Sequence, residues 1–350
     1  MQKTEQIKWL NCAKAVAIVA VLIDHTTGIL YSSQTIATAS YFSVSLFILI
    51  AGMTSYLSDS RHAESCCQNF VRSTRKIVEA YIIAAGVFTV LSSKGFDLLK
   101  YLSHLIHFDA SLPHYFVLLY IQLMVVNRFL FNLLQTIDKK KNTALFELLL
   151  LLAITGLSVF TTNCTNILDV YGGGGKLFGG TYLILYYVGM LIAKHGWLNS
   201  TTARKSGAFL ALGGAGFFAW LTTIIHYGQP SIDANLPFGE GFNPPGISFS
   251  ILALTMLIFC FGLFSLMESF SCMQVIVNSL NWIGKNTLCI FLYHELFLIA
   301  SMRFGIDTLM EHNAWAARIL YYGAMLFGPI ILNAVIDRFV TFVKNCCRSG

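Results

Sequence analysis

WLNCAKAVAIVAVLIDHTTGILY, residues 9–31, is long enough to cross a bilayer, yet it carries Lys14, Asp24 and His25. A span needs about 20 predominantly apolar residues. A helix turns about 100° per residue, so a spacing of eleven returns Lys14 and His25 to nearly one face. At ~1.5 Å of rise per residue they stand about 16 Å apart along the axis. Ionisable groups at that depth are rare and usually line a site or a pathway. The chemistry is expected on this stripe.

The rest of the chain agrees with a membrane setting. Of its 350 residues 56% are hydrophobic and only 11% charged, with 28 Phe, 15 Tyr and a mean hydropathy of +0.66. A soluble domain carries about 25% charge. The expected fold class is all-α: a polytopic membrane helical bundle of about ten transmembrane helices, with residues 1–350 forming one integral membrane domain. The spans fall near residues 9–30, 41–57, 77–92, 114–134, 144–160, 179–194, 206–226, 247–267, 285–302 and 315–335. The second and third are short for a vertical crossing.

Lys and Arg set the orientation. With the N-terminus inside, 18 of the 23 basic residues fall on the cytoplasmic side, including Arg61, Arg72, Arg75 and Lys76, Lys139 to Lys141, and Lys194, Arg204 and Lys205. Only Lys94, Lys100, Lys176, Arg303 and Arg318 fall outside. The positive-inside rule places both termini in the cytoplasm. The +6 formal charge is thus spent on topology and gives no reason to expect a nucleic-acid partner. The nine Cys show no CxxC or Cys/His spacing, so no metal is expected. Cys66–Cys67 and Cys346–Cys347 lie in inner loops and read as reduced thiols.

Loops add little chemistry. The glycine-rich run Tyr171 to Lys176 lacks the GKS or GKT ending of a phosphate loop. The Pro- and Gly-rich loop from Tyr227 to Gly246 serves equally as a cover for an outward-facing site or as a plain connector. Met267 to Gly284 mixes polar and apolar residues like an interfacial amphipathic segment. No internal repeat of the secondary-transporter kind is visible.

The candidate site residues follow. His25 lies towards the outer end of the first span. Imidazole is the usual general base near neutral pH, although a histidine snorkelling to the interface reads the same way. Asp24 points about 100° away and is no obvious partner for it. Lys14 sits one turn inside the cytoplasmic end, where a snorkelling lysine is ordinary. Arg72 and Arg75, at i and i+3, share a face at the approach to the third span and suit phosphate oxygens. Tyr293, His294 and Glu295 fall about 12–15 Å in from Lys285 and imply a polar interior, whether as an acceptor path or as bonds to neighbouring helices.

The order of these residues resembles a known family. Asn11-Cys12-Ala13-Lys14, Ala17-Ile18-Val19 and His25, then Val44-Ser45-Leu46-Phe47 through Ala51-Gly52, are similar to the opening of the acyltransferase type 3 family of integral membrane O-acyltransferases. Arg72 and Arg75, Gly189-Met190-Leu191-Ile192, and Asn286-Thr287-Leu288 to Tyr293-His294 extend the likeness over almost the whole chain. One departure stands out: the family's first-span Arg is Lys14 here, which keeps the charge but loses the planar bidentate fork.

The resemblance implies transfer of an acyl group, most simply acetyl, from cytoplasmic acyl-CoA to a hydroxyl of a cell-surface or lipid-linked glycan. The setting it implies is a bacterial inner membrane. His25 and Lys14 would be catalytic, Arg72 and Arg75 would hold the phosphates of acetyl-CoA, and Tyr293, His294 and Glu295 would meet the acceptor. The partners are then acyl-CoA, the glycan and membrane lipids. The alternative is a transporter or flippase of a lipid-linked glycan that uses the same polar interior as a path.

Overall fold

The computed structural model describes residues 7–61, 66–92, 95–163, 176–198, 202–228, 238, 241–303 and 305–349. The glycine-rich run 171–175 and most of the 227–246 loop lie outside the described residues. Among those described, the chain forms helices and no strand. The helices are α1 (Lys8–His25), α2 (Gln34–Ser40), α3 (Ser43–Arg61), α4 (Cys66–Ser92), α5 (Leu98–His107), α6 (Tyr115–Ile137) and α7 (Thr143–Asn163). They continue as α8 (Tyr182–His195), α9 (Ala203–Tyr227), α10 (Ile247–Glu268), α11 (Gln274–Lys285), α12 (Thr287–Arg303), α13 (Ile306–His312) and α14 (Ala314–Ser349). Several starts are capped as the sequence dictates. The Asp97 carboxylate accepts from the Lys100 amide at 3.1 Å, and the Thr202 hydroxyl accepts from the Lys205 amide at 3.4 Å.

All ten segments expected to be spans fall on helices. Six described stretches are long and apolar enough to cross a membrane: 34–61, 112–137, 143–163, 203–227, 247–268 and 314–342. A seventh arises if the stretches 271–285 and 287–303, bent by 77° at their junction, are one broken span. The outer faces suit lipid: Leu145, Leu148, Leu149 and Leu152 on α7, and Ile319, Ile331 and Phe339 on α14, are exposed. The expected interfacial segment becomes α11. It presents Val275, Ile276 and Trp282 outward and buries Val277 against α1.

The interior divides into two packed cores. One gathers α3, α8, α9, α10 and the inner parts of α6; the other gathers α4, α12 and α14. The pair α3–α8 shows how small residues set the first. A Cβ on Gly52 would lie 2.0 Å from the Tyr186 carbonyl oxygen, and one on Gly189 would lie 2.1 Å from that of Leu49. The two backbones touch, which only glycine permits in both directions.

α1 belongs to both cores. Trp9, Leu10, Cys12, Ala13, Ala17 and Ala20 pack into the first, and Ile18, Val21 and Leu22 into the second. It is the wall between them, and the space left along that seam is where its polar residues point.

Candidate active site

Both ends of α1 are held. Near its start, the Asn11 amide donates to the Asn281 side-chain oxygen at 2.8 Å, and Gly284 passes so close that a Cβ would sit 1.9 Å from the Asn11 carbonyl. At its far end, the Thr26 hydroxyl accepts or donates with Tyr322 at 3.0 Å, and Arg318 Nε donates to the Leu30 carbonyl at 3.0 Å. α1 therefore cannot slide or turn easily relative to α11 and α14.

Held this way, α1 presents its stripe to α12, which runs in the same direction. Lys14 lines a cavity of about 230 Å³ with Phe47, Ala51, Thr54, Ile77, Phe116, Val117, Tyr120, Thr287, Leu288 and Phe291. Lys14 has no hydrogen bond or ion pair among the described residues. A lone ammonium in a mostly apolar cavity is a demand for a polar ligand group. Further along the same pair of helices, His25 meets His294 and Glu295.

The contact with Glu295 decides the chemistry available to His25. His25 Nδ1 lies 3.4 Å from Glu295 Oε1. The other carboxylate oxygen accepts from the Ser111 hydroxyl and, at 3.2 Å, from the Leu112 amide. The short 3₁₀ turn Leu112–His114 before α6 thus fixes Glu295, and Glu295 fixes the ring. A carboxylate opposite Nδ1 keeps the proton there, which leaves the Nε2 lone pair free.

Two more histidines complete the surroundings. His294 is fully buried, and its ring stands edge-on to His25 with centroids 4.8 Å apart. Its Nδ1–H donates to the carbonyls of Phe291 at 2.9 Å and Ile290 at 3.1 Å, and its buried Nε2 has no protein partner. His114, also fully buried, donates from Nε2 to the Leu292 carbonyl at 3.2 Å and leaves Nδ1 unpartnered. Tyr293 points elsewhere. It packs in the second core and makes none of the contacts at His25.

A second cavity, also about 230 Å³, shares Thr54 and Tyr120 with the first. It is polar, lined by Ser55, Ser58, Asp59, Phe70, Ser73, Met124, Asn127 and Arg128. The Asn127 amide donates to Asp59 at 2.7 Å across it. Arg72 and Arg75 flank this cavity in sequence but line neither cavity. Both are exposed, and Arg75 pairs with Glu79 at 2.6 Å. Among the described residues, no group of three His, Cys, Asp or Glu side chains converges as a metal site.

Of the residues expected at the site, Lys14, His25 and Glu295 lie along the α1–α12 seam, and sequence reasoning gave no sign that Glu295 meets His25. It missed Ser111, His114 and the polar cavity. Only the last had a signal: Ser55, Ser58 and Asp59 recur at three- and four-residue spacing on one face of α3.

A family model described as an acyltransferase domain matches residues 7–334. No curated protein and no solved structure was found to match the chain. The chain belongs to the acyltransferase type 3 family.

Proposed function

We propose that this membrane acyltransferase carries an acetyl group from cytoplasmic acetyl-CoA to a hydroxyl of a cell-surface or lipid-linked glycan. The observation that carries the reading is the His25–Glu295 contact, which leaves one imidazole nitrogen bare beside the seam where Lys14 waits unpaired. In this reading both termini are cytoplasmic and ten helices cross a bacterial inner membrane. The two cavities, which share Thr54 and Tyr120, then suit an extended donor. Its amide-rich arm would run from Ser55, Ser58, Ser73 and Asn127 past Lys14, so that its thioester reaches towards His25. Arg72 and Arg75, exposed on the same helix as Ser73, would meet the phosphates at the cytoplasmic surface.

The chemical step follows from the geometry. His25 Nε2 takes the proton of the acceptor hydroxyl as its oxygen attacks the thioester carbonyl. The tetrahedral intermediate collapses, the C–S bond breaks, and the proton passes from His25 to the departing thiolate. Glu295 orients the ring and stabilises the imidazolium that forms between those events. Burial of the site in the bundle limits loss of the thioester to water. Family membership favours transfer over the transport reading.

The test is direct. Full-length protein in proteoliposomes, supplied with acetyl-labelled acetyl-CoA and envelope glycan, should move label into the glycan. Transfer that persists undiminished in His25→Ala would sink the assignment of His25.

A further inference from the structure

A separate cavity opens at the His25 end of the bundle, between α2, the end of α9 and the start of α10. Its volume is about 460 Å³, within the roughly 300–1,000 Å³ of small-molecule sites. One wall is polar: Gln34, Thr35, Thr38 and Tyr41. The other is apolar: Ile224, Ile225, Phe242 and Phe249. Among the described residues that line it there is no cation or carboxylate.

Phe242 is built into place. The turn that carries it is closed by the Gly246 amide donating to the Gly241 carbonyl at 2.9 Å, with Gly241 at φ +130°. α8 pins that turn. The Thr181 hydroxyl donates to the Pro245 carbonyl at 2.6 Å, and Tyr182 donates to Asn243 Oδ1 at 3.2 Å. Tyr41 stacks on one face of Phe242, with centroids 4.2 Å apart and planes within 8°. Phe249 stands edge-on to Tyr41 at 5.5 Å. Phe242 is nevertheless 39% exposed, so a supported ring still offers surface.

Tyrosine hydroxyls cluster behind this cavity. Tyr115 bonds to Tyr182 and to Asn243, the neighbour of Phe242. Asp24, adjacent to His25, has no hydrogen-bond partner among the described residues and lies within electrostatic reach of Tyr41, Tyr115 and Tyr182.

We infer that this cavity is a neutral-sugar subsite, which holds on Phe242 a unit of the acceptor glycan removed from the one that is acylated. A pyranose ring has an apolar face of C–H groups, which suits the negative face of an aromatic ring, and a rim of hydroxyls, which suits Gln34, Thr35 and Thr38. A lining whose described residues are uncharged, beside the Asp24 carboxylate, disfavours phosphate and leaves a sugar as the fitting class. The inference rests on the glycan O-acetyltransfer reading. It adds that the enzyme prefers acceptors of two or more sugars.

The test uses the full-length protein in proteoliposomes with acetyl-CoA. The acceptor probe is envelope glycan released by mild acid and fractionated by size. Wild type should prefer fragments of two or more sugars. Phe242→Ala should lose that preference through a rise of about tenfold in KM for the longer fragments, while Phe242→Trp restores it. The KM for acetyl-CoA, measured alongside, reports that each variant is folded. A size preference and KM unmoved in Phe242→Ala overturn the subsite alone; a cavity that holds a lipid chain gives that result. Absence of transfer by wild type to every fraction overturns the glycan reading and the subsite with it.

Discussion

Glu147 and Glu295 each meet a histidine inside the protein, at opposite ends of the bundle. Glu147, near the start of α7, accepts from His195 Nε2 at 2.8 Å and from Lys194, which also reaches Asp138. Its side chain is 8% exposed, and every charge there has a partner. His195 leans flat on Trp197 with centroids 5.2 Å apart. Glu295 has no lysine. Neutral donors, Ser111 and the Leu112 amide, hold one oxygen, and the other faces His25 at 3.4 Å. The same two residue types thus make an ion-pair clamp in one place and a lone carboxylate–histidine pair in the other. The difference lies in what surrounds the carboxylate. A carboxylate shared with a lysine ties helices together, whereas one held by neutral donors keeps its charge for the single imidazole it faces.

The contrast breaks first at the histidines. His25→Ala should lower acetyl transfer by about 10²–10⁴-fold, the usual worth of general base catalysis. His195→Ala should leave turnover per folded molecule within about threefold, since His195 lines neither cavity on the α1 seam. Equal losses in both would erase the distinction. The clamp should show its own character in a thermal melt. Lys194→Met strips Glu147 of its buried cation, which costs about 3–5 kcal/mol where one partner of a buried pair is removed. A lowered melting temperature with kcat retained is the expected result.

Glu295→Gln comes next. It preserves the shape and the acceptor towards Ser111 but removes the charge that steadies the imidazolium. A fall of about 10²-fold in kcat is expected, with the KM for acetyl-CoA little changed. A comparable drop in melting temperature instead would make Glu295 a second clamp. The smallest effect belongs to the two lysines compared directly. Lys194 has two carboxylates and Lys14 has none, so Lys14→Arg meets no fixed geometry and should alter kcat/KM by less than about threefold. A loss beyond about tenfold would show that the ammonium shape matters.

How much of this the sequence disclosed depends on the range over which each signal acts. Apolar runs are local, so all ten segments expected to be spans lie on helices. The eleven-residue spacing of Lys14 and His25 is also local, and α1 is one unbroken helix across it. Arg72 and Arg75 show the limit of such reasoning. Their spacing puts them on one face, but nothing in it says which face of α4 meets the core, and both are exposed. The partner of His25 was out of reach for a different reason. Asp24 is its chain neighbour, whereas Glu295, the carboxylate that meets it, arrives from far along the chain through packing that no short motif encodes. The pinning of Glu295 by Ser111 compounds this, because it requires three separate segments to converge.

That α1 is the wall between two cores also orders events in time. Residues 8–25 are made well before Asn281, Gly284, Glu295, Arg318 and Tyr322, which hold α1 and its histidine. A nascent chain, or one arrested before α11, has the histidine but neither its orienting carboxylate nor a closed chamber. His25 therefore meets its orienting carboxylate only after α12 has been made and packed against α1.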